Sequence, residues 1–108
     1  LVRMESAEVL EYVALTTGSD ETKKLSVKGL SRLGETESLK RLVNPKDEKT
    51  ATYACAGLFR NINKIIRQLD TESLELLSKF SKNGRQRKEA EKWLAKLEIV
   101  KMIKKIEA

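Results

Sequence analysis

Apolar residues recur along this chain at intervals of three and four rather than two, which predicts helices throughout and gives strands little support. Val9, Leu10, Val13 and Ala14 make the apolar stripe of a first helix over about 5–15, broken by Thr16-Thr17-Gly18-Ser19. Asp20 suits the N-cap of a second helix, in which Leu25, Gly29 or Leu30, and Leu33 share a face and Gly34 supplies the left-handed residue that ends many helices. Thr36 is placed to cap a short third helix with Leu39, Leu42 and Val43 inward, stopped by Asn44-Pro45. Pro45 fits the first turn of a fourth helix over 46–60, where a missing amide donor costs nothing. The inner face of that helix, Ala51, Ala54, Cys55 and Leu58, is small, so it predicts a central helix that its neighbours approach closely. Ile62, Ile65, Ile66 and Leu69 continue the pattern after Asn61. Asp70 or Thr71 then caps a helix with Leu74 and Leu77 inward and Phe80 as a further candidate, ended by Asn83-Gly84. The last helix, from Arg85, predicts Ala90, Trp93, Leu94, Leu97, Val100 and Ile103 as its buried side, with Ile106 near a fraying end.

The tetrapeptide Thr36-Glu37-Ser38-Leu39 recurs as Thr71-Glu72-Ser73-Leu74, 35 residues further on. At the same offset Val27, Leu30, Arg32 and Glu35 align with Ile62, Ile65, Arg67 and Asp70, and Leu42, Cys55 and Leu58 align with Leu77, Ala90 and Trp93. Such spacing predicts stacked helical units that bury their faces against one another.

On these residues the chain resembles the armadillo and HEAT families of α-helical repeats. A helix with paired aliphatic residues, a polar turn, and a helix mixing small residues with leucine succeed one another three times: Val9 to Leu15 then Leu25 to Leu33; Leu39 to Val43 then Thr50 to Leu58; and Leu74 to Phe80 then Arg87 to Leu97. The run from Thr50 to Leu58 is most similar to the third helix of an armadillo unit, and Ile62 to Leu69 to the short first helix of the next. The resemblance implies an all-α fold: one domain over 1–108, a short right-handed superhelical stack of two to three units at about 5–34, 36–69 and 71–106. A small non-repetitive helical bundle is the alternative. The first unit lacks a separate short helix, and the repeats are shorter than usual. Where nuclear-import armadillo proteins carry asparagine near the end of the third helix, this chain has Glu35, Arg60 and Lys96; one turn earlier, in place of tryptophan, stand Ser31, Ala56 and Lys92. Recognition of basic import signals is not implied.

Charge sharpens the picture. The net charge of +6 is unevenly spread: residues 1–54 hold nine basic and nine acidic side chains, and residues 55–108 hold thirteen and seven. A localised excess of this kind suits an acidic partner, with a solvated lysine face as the plain alternative. Lys82, Arg85, Arg87, Lys88 and Lys92 cluster around the Asn83-Gly84 turn and the helix after it; Arg60, Lys64 and Arg67 form a second stripe. These eight are the candidate partner-binding residues, whereas Lys101, Lys104 and Lys105 oppose the negative end of the last helix and need no ligand.

Catalysis finds little footing. Histidine is absent, so His-based acid/base chemistry, the common zinc sets and His-containing triads are excluded. Glu5, Glu8 and Glu11 read as a solvated face, Asp47-Glu48 lacks calcium-loop spacing, and the single Cys55 reads as a buried thiol of a reducing compartment. No apolar run reaches the roughly 18 residues a membrane span needs. The expectation is therefore a non-enzymatic protein-interaction module without cofactor or metal, intracellular (cytoplasmic, or alternatively nuclear), monomeric or weakly dimeric, with an acidic protein surface or peptide as partner. Phosphate-backbone binding to nucleic acid is the runner-up, and a segment of a longer repeat array or an end-to-end dimer the third reading.

Overall fold

The described residues are almost all helical, and side-chain caps mark where several of the helices begin. In this computed structural model, which describes residues 2–43 and 47–107, the chain forms α1 (Val2–Thr16), α2 (Asp20–Leu33), α3 (Thr36–Leu42), α4 (Glu48–Arg60), α5 (Ile62–Arg67), α6 (Thr71–Phe80) and α7 (Gly84–Glu107), with no strand among the described residues. Ser19, rather than Asp20, caps α2: its Oγ accepts from the Thr22 amide at 3.3 Å. Asp47 caps α4 and Asp70 caps α6, each accepting at 3.2 Å from the amide three residues on, Thr50 and Ser73. Thr36 is not a cap but the buried first residue of α3, whose N-cap position is Glu35. Asn83 opens α7 instead of ending α6, because its Oδ1 accepts from the Arg85 and Gln86 amides at 3.0 and 3.3 Å. The stop expected at Asn44-Pro45 and the helical start at Lys46 lie outside the described residues.

The 35-residue offset reappears in the backbone. Gly34 and Leu69 both adopt the left-handed conformation, φ 70° and 54°. Around Gly34 the Glu35 amide donates to the Leu30 carbonyl (3.1 Å) and the Thr36 amide to the Gly34 carbonyl (3.0 Å); around Leu69 the Asp70 and Thr71 amides do the same to Ile65 and Leu69, both at 3.0 Å. This is the hydrogen-bonding of a Schellman-type helix end, which satisfies carbonyls that the helix leaves open. The helices that follow bury matching side chains: Ser38, Leu39 and Leu42 in α3; Ser73, Leu74 and Leu77 in α6.

Helices α1 and α2, α3 and α4, and α6 and α7 pair as hairpins; α3 lies between α1 and α6, and α2 lies against α4. The molecule is 19 Å across its thinnest dimension, room for two layers of helices about 10 Å in diameter. As its small residues predict, α4 sits at the centre, packed on α2, α3, α5 and α6. Gly57 makes the crossing with α2 close: a Cβ there would meet Leu39 Cδ2 at 3.0 Å and Ser31 Cβ at 3.3 Å. The Asn61 carboxamide fastens the same crossing, donating to the Ser31 carbonyl at 3.0 Å and the Gly57 carbonyl at 2.9 Å.

Several residues assigned inward by periodicity lie outside. Val9 and Leu25 are exposed, while α1 buries Ala7 and Ala14, and α2 buries Ser26, Val27, Leu30 and Ser31. Serine escapes a hydropathy pattern, yet Ser26 can be buried because its hydroxyl donates to the Thr22 carbonyl one turn back, at 2.9 Å. Val100 and Ile103 are exposed too, for a reason of length. Helix α6 has 10 residues and α7 has 24, about 15 and 36 Å of helix, so α7 outruns its partner soon after buried Leu97.

Candidate interaction surface

Packing α2 beside α4 leaves a groove on their shared surface, about 220 Å³ in volume, with Lys24, Lys28, Tyr53 and Arg60 along its sides and Val27, Ser31, Ala56 and Gly57 in its floor. Lys24 and Lys28 are one turn apart on α2 and follow one ridge of that helix. The floor is shallow because the two backbones approach so closely at Gly57. No carboxylate lines the groove. At its edge the Tyr53 hydroxyl donates to Asp20 Oδ2 at 2.9 Å, a contact that pushes the phenol's pKa up and ties the N-terminus of α2 to α4.

Of the eight residues singled out by charge pattern, only Arg60 reaches this groove. Lys64, its neighbour in the expected stripe, is turned inward and half-buried: its Nζ donates to the Gly34 carbonyl at 2.5 Å, closing the left-handed turn after α2. Arg67 lies on a separate cleft of about 420 Å³ between α5 and α7, with Asn63, Ile66 and Trp93. The expected stripe is thus three different environments rather than one surface.

The cluster around the α6–α7 turn is also divided. Lys82 and Arg87 line a third cleft, about 290 Å³, together with Lys79, Phe80 and Thr52, and here Lys82 is already paired with Glu48 at 3.1 Å. Arg85 and Lys88 are exposed on the first turns of α7. Lys92 lies 6.0 Å and Lys96 4.7 Å from the centre of the Trp93 ring. Trp93, expected in the core, is half-buried, with part of its surface against the core and part in the α5–α7 cleft.

Other charged groups are spent on holding helices together. Glu11 does not belong to a solvated face: Arg41 grips it with two bonds of 2.9 and 2.7 Å, and this bonding holds the Glu11 carboxyl below its usual pKa. Lys40, only 9% exposed, pairs with Glu37 at 2.8 Å and with Asp70 at 3.4 Å. Burial pulls its pKa down, but the hydrogen bond it donates to Glu37 and the charges of Asp70, Glu37 and Glu72 outweigh it, and the net shift is upward. Cys55 is buried, and desolvation pushes its thiol up to about 11, so it is protonated and inert at neutral pH. Among the described residues no group of three His, Cys, Asp or Glu could hold a metal ion, and no helix is long and apolar enough to cross a membrane.

Lys24, Lys28 and Tyr53 were missed by charge patterning because they fall in the half of the chain whose charges balance. The i, i+4 spacing of the two lysines was legible; their pairing with Tyr53 and Arg60, 25 or more residues away, was not. No family model, no curated protein and no solved structure matches this chain.

Proposed function

We propose that this chain is a non-catalytic protein-interaction module, a short right-handed armadillo/HEAT-like stack whose α2–α4 groove takes an acidic segment of a partner protein. The observation that carries the reading is the groove itself: three cations and a hydrogen-bonded phenol around a floor of small side chains and Val27, without a carboxylate in the lining. The repeated left-handed turns and the succession of hairpins support the repeat architecture. The helices fix the spacing of the Lys24, Lys28 and Arg60 backbones, so a partner's carboxylates meet a positive field of set position. Apolar contact with the floor then adds what exposed ion pairs alone do not supply.

Amide chemical shifts followed during titration with a glutamate-rich peptide test this directly. The expected result is movement centred on Lys24, Lys28, Tyr53 and Arg60, weakened roughly tenfold or more in a K24Q/K28Q/R60Q variant and fading with salt. Unmoved groove amides at low salt, or equal response to a lysine-rich peptide, would reject the proposal.

A further inference from the structure

The α5–α7 cleft combines features that the α2–α4 groove lacks. Its wall on α7 is Trp93, the only tryptophan in the chain, and on α5 it carries Asn63, Ile66 and Arg67. Two ammonium groups lie over the indole, Lys96 Nζ at 4.7 Å from the ring centre and Lys92 Nζ at 6.0 Å. Both lysines are exposed and belong to long, flexible side chains. Cations held at the ring by this attraction alone can move aside for another planar group and stay beside it.

We infer that this cleft is a second binding site, for single-stranded nucleic acid: an unpaired base stacks on Trp93 while Arg67, Lys92 and Lys96 contact the flanking phosphates and Asn63 meets a base edge. A cluster of lysines alone would suit any polyanion; the indole face between them selects one that carries aromatic rings next to its charges. The open, 420 Å³ shape of the cleft suits a strand lying across it. A duplex keeps its base faces stacked and unavailable, and an acidic peptide satisfies the cations but not the ring. The Trp93 site is distinct from the α2–α4 groove, so either can fail alone. Glu89, one turn before Trp93 on α7, sets an opposing charge near the site.

Because Trp93 is unique, its own fluorescence reports occupancy in the unmodified chain. Titration with oligo-dT and oligo-rU, alongside dextran sulfate, poly-glutamate and a DNA duplex, should show quenching of at least twofold by the single strands alone, the two sugars distinguished by their relative affinity. An R67Q/K92Q/K96Q variant, altered only at exposed side chains, should bind tenfold or more weakly and lower the slope of log affinity against log salt by about 2, from three lost phosphate contacts at roughly 0.7 each. Glu89→Gln should tighten binding. Equal quenching by dextran sulfate or poly-glutamate would reduce the cleft to a polyanion surface and overturn the inference, as would absence of quenching by either oligonucleotide at low salt.

Discussion

Asp47 and Asp70 are used alike. Each carboxylate accepts from the backbone amide and the hydroxyl of the residue three positions on, with the hydroxyl contacts both 2.7 Å long, and each reaches across to a lysine of an earlier helix, Lys23 at 2.9 Å or Lys40 at 3.4 Å. In Asp47 the Thr50 hydroxyl, then Lys23, then the Thr50 amide lower the carboxyl from 3.8 to about 2. A carboxyl depressed on folding contributes stability above its unfolded pKa and loses it as pH falls toward the folded one. The Asp47 contribution is therefore complete above about pH 4 and disappears toward about pH 2. Thermal melts across this window should show an acid loss that is shallower in Asp47→Asn, since asparagine still caps the helix but cannot titrate; an unchanged profile would remove Asp47 as a source. Asp47→Ala, which removes the cap as well, is expected to cost about 0.5–2 kcal/mol at neutral pH in urea denaturation. Glycine is decisive at two positions. Gly34→Ala forces a Cβ into a left-handed residue and should cost about 1–2 kcal/mol in the same assay. Gly57→Ala should destabilise by pushing on Leu39 and Ser31, and its amide shift changes should extend into α2 and α3.

At the scale of the helix, burial follows the neighbours an element meets more than its own pattern. Leu25 and Leu30 are chemically identical residues on α2, yet Leu25 is 61% exposed and Leu30 is fully buried. Leu30→Ala should cost about 2–5 kcal/mol and Leu25→Ala no more than about 0.5, measured by urea denaturation; comparable losses would show that α2 is rotated from this register. Helix α7 makes the same point along its length. Through Leu97 it has α6 to pack on, and beyond it Ile99, Met102, Ile103 and Ile106 face solvent. Ile103→Lys should therefore leave the unfolding midpoint within experimental error, whereas Leu97→Ala should lower it.

Across the whole molecule, cations from separate helices converge where acids do not. The groove joins Lys24 and Lys28 of α2 to Arg60 of α4, and the cleft beside α5 sets Arg67 beside Trp93, whose ring has the ammonium groups of Lys92 and Lys96 within 6.0 Å of its centre. Acidic side chains such as Glu11, Asp20, Asp47 and Asp70 are instead engaged in fastening helices, which leaves the excess positive charge to the surface. Exposed cations in such an arrangement act mainly on encounter rates, so the proposed acidic partner should associate more slowly in 0.5 M than in 0.05 M salt, with dissociation changed less. Stopped-flow measurement of the two rates checks this.

What the sequence determined by itself is local: helices from the spacing of apolar residues, the end of α2 at Gly34 and the start of α6 at Asp70, the small central face of α4, and the duplicated segment before and after Thr36 and Thr71. These depend on neighbours within a few residues, or on comparison of the chain with itself, and both can be read in one dimension. The tertiary structure decided which side of each helix is inside, that Ser26 and Ser31 are core while Leu25 and Ile103 are not, and which charges meet. Lys64 belonged to a basic stripe by spacing, but the fold spends it on the Gly34 carbonyl, while Lys24 and Lys28 gain their setting only when α4 brings Tyr53 and Arg60 beside them. Helical periodicity fixes angles around one axis; the crossing of two axes, and hence any site made between them, is fixed by packing.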